Sequence, residues 1–328
     1  MTAESLAYLH GDRAVLRVLL ERRAAGSTPC ARSDDHRVAL VIGGGGMRGS
    51  YVAGMLHALD RAGVRSAFDE VYGSSSGAIS AAAFLTGDAA ACAACYPEDL
   101  CTREFIDMRR LGSRRPVVAL QLLLDEVLRH RKPMAWEQLG RTPAPLRVIA
   151  TDAADLSAHT LTGMAAVADW RTVLQASASI PLLAGPPVAW DGRWWVDGSV
   201  GEPLAIERAL RGGATHVLVM LCRGTEDLHH DADAGLSLWA RTLDRLVPGL
   251  GTVAQGSRRY GTDLRLIVDA ARADCGPRHL CGIGPSRSAG VGSLCVEEGP
   301  IGEAVRIGDE SCSAALDAVA AEMDLDPA

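Results

Sequence analysis

The sequence predicts an α/β fold in three layers: a mainly parallel central sheet covered by helices on both faces, with a further helix at the N-terminus. Three observations carry that prediction. Apolar strand-like runs alternate with helical stretches along most of the chain, the order that folds into a parallel sheet between helices. Two of these runs end in glycine-rich turns that open helices, so both turns belong at the carboxyl edge of the sheet, where such folds gather ligands. Hydrophobic residues make up 48% and charged residues 22%, a globular balance that excludes a mainly disordered chain.

Residues 1–25 read as an amphipathic helix, with Leu6, Leu9, Leu16, Leu19 and Leu20 near one face. Gly26 to Arg37 is a polar linker, so residues 1–35 are read as helix and linker and residues 36–325 as one compact domain. Val38–Ile42 is the first strand, followed by four glycines and a helix from about Ser50 to Ala62. A second strand near Phe68–Tyr72 runs into Gly73-Ser74-Ser75-Ser76-Gly77 and a helix through Leu85. Cys92 and Cys95 fall in an alanine-rich helical segment. Later strands are expected at Leu146–Ala150, Trp194–Val196, His216–Leu221 and Leu264–Val268, with Asp191-Gly192 as a hairpin turn. Gly282 to Ser293 reads as a surface loop.

The 33 basic side chains against 40 acidic give a net charge of −7, which counts against a nucleic-acid partner. Local basic patches stay open. Residues 103–132 carry Arg103, Arg109, Arg110, Arg114, Arg115, Arg129, Arg131 and Lys132 around the apolar stretch Val117–Leu124. That combination allows transient contact with an anionic membrane surface; the plainer reading is a core-packed helix with a solvated basic face. No apolar run approaches the ~18–20 residues of a membrane span. Glu4, His10, Asp12 and Arg13 interrupt any secretory apolar region. Nine cysteines without framework spacing suit reduced thiols. The expected location is the cytoplasm, with peripheral membrane contact.

The chemistry is concentrated in the two glycine turns. Gly44, Gly46 and Gly49 make a G-x-G-x-x-G, which by itself suggests dinucleotide binding. A nucleotide-binding unit expects an acidic residue at the end of its second strand, and here that strand ends in Tyr72-Gly73-Ser74-Ser75. The second turn, Gly73 to Gly77, is a G-x-S-x-G between strand and helix. Small flanking residues permit the sharp turn that lifts a central serine hydroxyl clear of the sheet. Ser75 is therefore the candidate nucleophile, with Ser74 and Ser76 separated from it only by position in the pentad. The free N–H groups of the earlier loop, Gly44, Gly45 and Gly46 with Arg48 beside them, are candidates for an oxyanion hole. Arg48 either meets an anionic head group or anchors the loop.

A serine nucleophile needs a base. His216, His229, His230 and His279 lie downstream, but none has a distinguishing neighbourhood. More suggestive is the hairpin that ends in Asp197-Gly198, which delivers a carboxylate into a glycine turn. Asp152, after Thr151 at a strand end, is a second carboxylate for which a turn role is expected.

Taken together, Gly44-Gly45-Gly46-Met47-Arg48-Gly49, Gly73-Ser74-Ser75-Ser76-Gly77 and Asp197-Gly198 resemble, in order and spacing, the signature blocks of the patatin-like phospholipases. Ala176-Ser177-Ala178-Ser179-Ile180-Pro181, leading to Pro187-Val188, resembles the segment before the family's aspartate, and Ala150-Thr151-Asp152 its strand-end Thr-Asp. The resemblance runs from about Val38 to Met220. It implies a Ser–Asp dyad without histidine: Ser75 attacks an ester carbonyl of a phospholipid or lysophospholipid, Asp197 accepts its proton, and an acyl-enzyme forms. No cofactor or metal is implied. Two departures stand out: Ser199 follows Asp197-Gly198 where the family favours glycine or alanine, and Gly201-Glu202-Pro203 replaces an asparagine-proline run. A His-dependent esterase, thioesterase or acyltransferase is the alternative within the same chemistry. A non-catalytic lipid- or nucleotide-binding protein is the alternative outside it.

Overall fold

The computed structural model describes residues 8–224, 251–270 and 278–326. Its strands are β1 Leu9–Gly11, β2 Val38–Ile42, β3 Glu70–Ser74, β4 Leu146–Asp152, β5 Ala158–Leu161, β6 Val188–Trp190, β7 Arg193–Asp197, β8 His216–Met220 and β9 His279–Ile283. They form one sheet in the order β1-β9-β8-β2-β3-β4-β7-β6, with β5 also on β4. The run from β9 to β4 is parallel throughout. The strands β1, β5, β6 and β7 join antiparallel, so the expected mainly parallel sheet is a parallel centre with mixed margins.

Both faces are covered, and β2 shows how. Its Val38, Leu40 and Ile42 enter one core, shared with α1 (Ala14–Ala24), α2 (Gly49–Arg61), α3 (Ser76–Thr86), α4 (Ala89–Glu98) and α9 (Glu298–Glu322). Its Ala39 and Val41 point the other way, towards α7 (Ile206–Arg211) and α8 (Gly251–Ala270). A strand buried on both faces has no solvent side on which to place polar residues, which is why these strands read as continuous apolar runs.

Three local expectations change. The N-terminal helix begins only at Ala14, because Leu9–Gly11 pairs with Cys281–Ile283 as an edge strand. Its buried Arg22 donates to the carboxylates of Asp34 and Asp69 and to the carbonyls of Ala67 and His36. Leu264–Val268 lies within α8 rather than a strand, with Tyr260, Leu264 and Ile267 on the core at helical spacing. The expected loop from Gly282 starts inside β9. In the basic segment Val117, Leu120, Leu123 and Leu124 are buried, as its core-packed reading expects. No described helix is long and apolar enough to cross a membrane.

One junction positions the site. Along β4, β3 pairs with Leu146–Ile149 and β7 with Ala150–Asp152, while β5 pairs with Val148–Thr151. Because β5 overlaps both registers, it takes the opposite edge, and β3 and β7 must share one. They run in opposite directions and meet end to end, Ser74 beside Ile149 and Asp197 beside Ala150.

Candidate active site

β3 delivers Ser75 into a turn at φ 55°, ψ −133°, a region that a residue with a side chain occupies at a cost of about 1–3 kcal/mol. Close packing holds the turn there. A Cβ at Gly77 would lie 2.5 Å from the Gly43 carbonyl oxygen and 2.6 Å from that of Ile42, so only glycine lets α3 start this near β2. The Ser75 N–H donates to Ser177 Oγ (3.0 Å), and that hydroxyl donates to the Ile149 carbonyl (2.6 Å). Ser177, near the end of α5 (Val167–Ala178), thus ties the turn to β4. The sequence marks its segment but gives no sign of this contact.

The Ser75 hydroxyl donates to Asp197 Oδ2 at 2.5 Å. The other carboxylate oxygen accepts the Ser199 N–H at 2.8 Å. The Asp197 backbone is fixed as well: its N–H donates to Ser179 O, and its carbonyl accepts the Thr151 hydroxyl. With only 1% of its surface exposed, Asp197 is nearly cut off from water. Burial pushes its carboxyl up to about 6, against the smaller opposing pull of the hydrogen bonds from Ser75 and Ser199. An ordinary aspartate gives up its proton well below this range; Asp197 holds one closer to neutrality. The hairpin that carries it turns at Asp191 and Gly192, both at positive φ.

The glycine loop leans directly on the serine. A Cβ at Gly44 would lie 2.5 Å from that of Ser75. The Gly45 N–H donates to Ser76 Oγ (3.1 Å), the Met47 N–H to Ser293 O (3.0 Å) and the Arg48 N–H to Gly45 O (3.2 Å). Gly44, Gly45, Gly46 and Arg48 line one cavity of about 230 Å³ together with Ser75 and Asp197. Its far wall is apolar, with Leu100, Phe105, Ile106, Val118, Leu123 and Leu183. The flanking serines are occupied elsewhere: Ser74 Oγ lies 3.2 Å from Ser199 Oγ, and Ser76 Oγ accepts from the loop.

Among the described residues no histidine lines this cavity. His216 and His279 pair with each other at the amino ends of β8 and β9, level with Val38. That is a strand length, about 13 Å, from the end of β2 that feeds the glycine loop. His229 and His230 lie outside the described residues. Asp152 accepts the Ala154 N–H and an Arg193 guanidinium, in keeping with a turn role. Asp152, Asp155 and His159 bring potential metal-ligand atoms within 4.8 Å of one another, but Arg193 holds the first and Ser157 the other two. The Cys92 and Cys95 thiols are buried, and burial pushes Cys92 up to about 11 and Cys95 higher still. Trp195 is buried, whereas Trp194 points to solvent. Glu202 is held by Arg208 at 2.6 Å.

A family model described as patatin-like phospholipase matches residues 40–210. Over 187 residues the chain is 26% identical to the Escherichia coli (strain K12) protein described as "Uncharacterized protein YjjU", covering 56% of this chain and 51% of that one. The chain thus spans about half the length of this curated relative. Among solved structures, VipD from Legionella pneumophila aligns with a TM-score of 0.47 and 15% identity, over 87% of this chain and 67% of that one.

Proposed function

Because the chain belongs to the patatin-like phospholipase family, we propose that it is a serine acyl hydrolase that cleaves fatty-acyl esters of phospholipids or lysophospholipids through a Ser75–Asp197 dyad. The observation that carries the reading is the 2.5 Å hydrogen bond from a serine at a strained strand–helix turn to a buried carboxylate, at the wall of an apolar cavity.

In this route Ser75 Oγ attacks the ester carbonyl carbon while its proton passes to Asp197 Oδ2. The carbonyl oxygen becomes an oxyanion, facing the N–H groups of Gly44, Gly45 and Gly46 and the N-terminus of α3. Removing one such donor from other acyl-transfer enzymes costs about 2.7–4 kcal/mol. For the Gly45 N–H to take part, the Ser76 hydroxyl that now accepts it must rotate away. Arg48 holds the loop's last turn through its N–H bond to Gly45 O. Collapse of the intermediate breaks the ester C–O bond, and the departing alkoxide takes the proton from Asp197, leaving an acyl-Ser75. Water then gives a proton to Asp197 and attacks the acyl carbon; the fatty acid leaves, and Ser75 recovers the proton. The apolar wall suits an acyl chain.

A fluorophosphonate probe tests activation of the nucleophile without knowledge of the substrate. Wild type is expected to be labelled and Ser75→Ala is not; release of fatty acid from phospholipid or lysophospholipid is expected to vanish in Ser75→Ala and Asp197→Asn. Labelling that persists in a folded Ser75→Ala variant rejects the assignment.

A further inference from the structure

Six large apolar side chains are exposed among the described residues, and three of them, Met108 (51%), Leu111 (50%) and Leu182 (44%), lie on two segments that also wall the cavity. Phe105 and Ile106 line it just before Met108, and Ile180 and Leu183 line it on either side of Leu182. The segments are fastened together. Ile106 bridges to Val118, Asp107 N–H donates to Val117 O, and Val118 N–H donates to Leu183 O at 2.8 Å. The same rim thus turns one face to the cavity and its apolar tips to solvent.

Arginines flank Met108 and Leu111 along the chain. Residues 103–115 hold Arg103, Arg109, Arg110, Arg114 and Arg115 against Glu104 and Asp107, in a chain whose net charge is −7. Asp107 is held by Arg109, and Arg110 donates to the carbonyls of Arg103 and Glu104. Arg103, Arg114 and Arg115 are exposed, and none has a carboxylate partner among the described residues. Further along the basic stretch most of the charge is already matched: Lys132 pairs with Glu98 and Asp99, and Arg131 with Asp99, which leaves Arg129 exposed. The positive surface is therefore narrower than residues 103–132 suggested, and its apolar members are not Val117–Leu124 but Met108 and Leu111.

We propose that residues 103–115 and Leu182 form a docking surface for an anionic lipid leaflet. The apolar tips enter the headgroup boundary, the arginines meet lipid phosphates, and the cavity mouth is seated where an acyl chain can enter it without crossing water. The last step rests on the lipid-ester reading above; the docking itself does not.

Flotation of the full chain with diether-phospholipid vesicles tests this, because diether lipids have no ester to cleave. Binding is expected to vesicles of phosphatidylcholine mixed with phosphatidylglycerol, far more weakly to phosphatidylcholine alone, and to weaken as salt rises. Each arginine near the surface contributes about a fivefold effect, so Arg114→Ala with Arg115→Ala lowers binding roughly 25-fold. Met108→Ser with Leu111→Ser lowers it at least about tenfold. Both double variants are expected to turn over a water-soluble short-chain ester like wild type, which separates docking from misfolding. Equal binding to both vesicle types, binding to neither, or wild-type binding by the variants overturns the proposal. So does self-association in solution that Met108→Ser with Leu111→Ser abolishes, which would assign the face to a second copy of the chain. Vesicle binding without any ester turnover would leave docking intact and reject the hydrolase reading.

Discussion

Asp197→Asn is expected to make the folded protein more stable while removing its chemistry. The side chain is buried, and burial raises its carboxyl from an ordinary 3.8 to about 6. A folded-state value above the unfolded one means that the native state holds the proton more tightly. The stability contributed by this group is therefore fully present below about pH 4 and is lost as pH rises through 6. At about 1.4 kcal/mol per pH unit, the loss is roughly 3 kcal/mol by neutral pH. Asparagine has the same shape and no charge, its Oδ1 can accept the Ser199 N–H, and its amide can face Ser75 Oγ. The variant is expected to gain up to about 3 kcal/mol at neutral pH and little near pH 4. Urea unfolding of both proteins at the two pH values measures this. A variant no more stable than wild type at neutral pH, or a difference that does not change with pH, would refute the claim that the protein keeps this carboxylate under desolvation stress.

The same titration is expected in the kinetics: kcat/KM rises with pH through about 6 as Asp197 becomes able to accept a proton, and a profile flat across that range removes it as the base. Ser177→Ala leaves the buried Ser75 N–H and the Ile149 carbonyl without their shared partner; a loss of about 1–3 kcal/mol by urea unfolding, with kcat falling more than KM changes, marks Ser177 as a positioning residue. Gly77→Ala drives a methyl group into two backbone carbonyls and is expected to cost about 1–3 kcal/mol or more, together with activity, in parallel thermal-melt and hydrolysis assays. The Arg22 guanidinium holds the Asp34 carboxyl down to about 2, so the stability it contributes is present above pH 4 and is lost as pH falls towards 2; an acid-unfolding curve unchanged by Arg22→Met would contradict this.

What was legible in the sequence was local. β2, β3 and their glycine turns announce themselves because a buried parallel strand and a strained turn each need particular residues within a few positions. The hairpin that carries Asp197 was visible for the same reason. Four features were not. β1 and β9 are defined by their partners, and Leu9 reads as helical until Ile283 is placed beside it. Leu264–Val268 has strand-like composition, but its burial follows Tyr260, Leu264 and Ile267 around a helix. The contact between Ser177 and Ser75 spans 102 residues, and the high proton affinity of Asp197 arises from the packing around it, which no residue type encodes.

The end-to-end meeting of β3 and β7 on one edge of β4 makes the dyad a gauge of register. Successive residues of a strand face opposite sides of the sheet, so a slip of one position along β4 would turn the Asp197 side chain away from Ser75 while leaving most of the ladder's hydrogen bonds available. A chain with its helices packed and β7 misaligned would look folded by most global measures and carry no carboxylate beside Ser75. On the proposed dyad, turnover reports on a single strand alignment, and active-site titration of refolded protein would count correctly registered molecules more sharply than any spectrum of secondary structure.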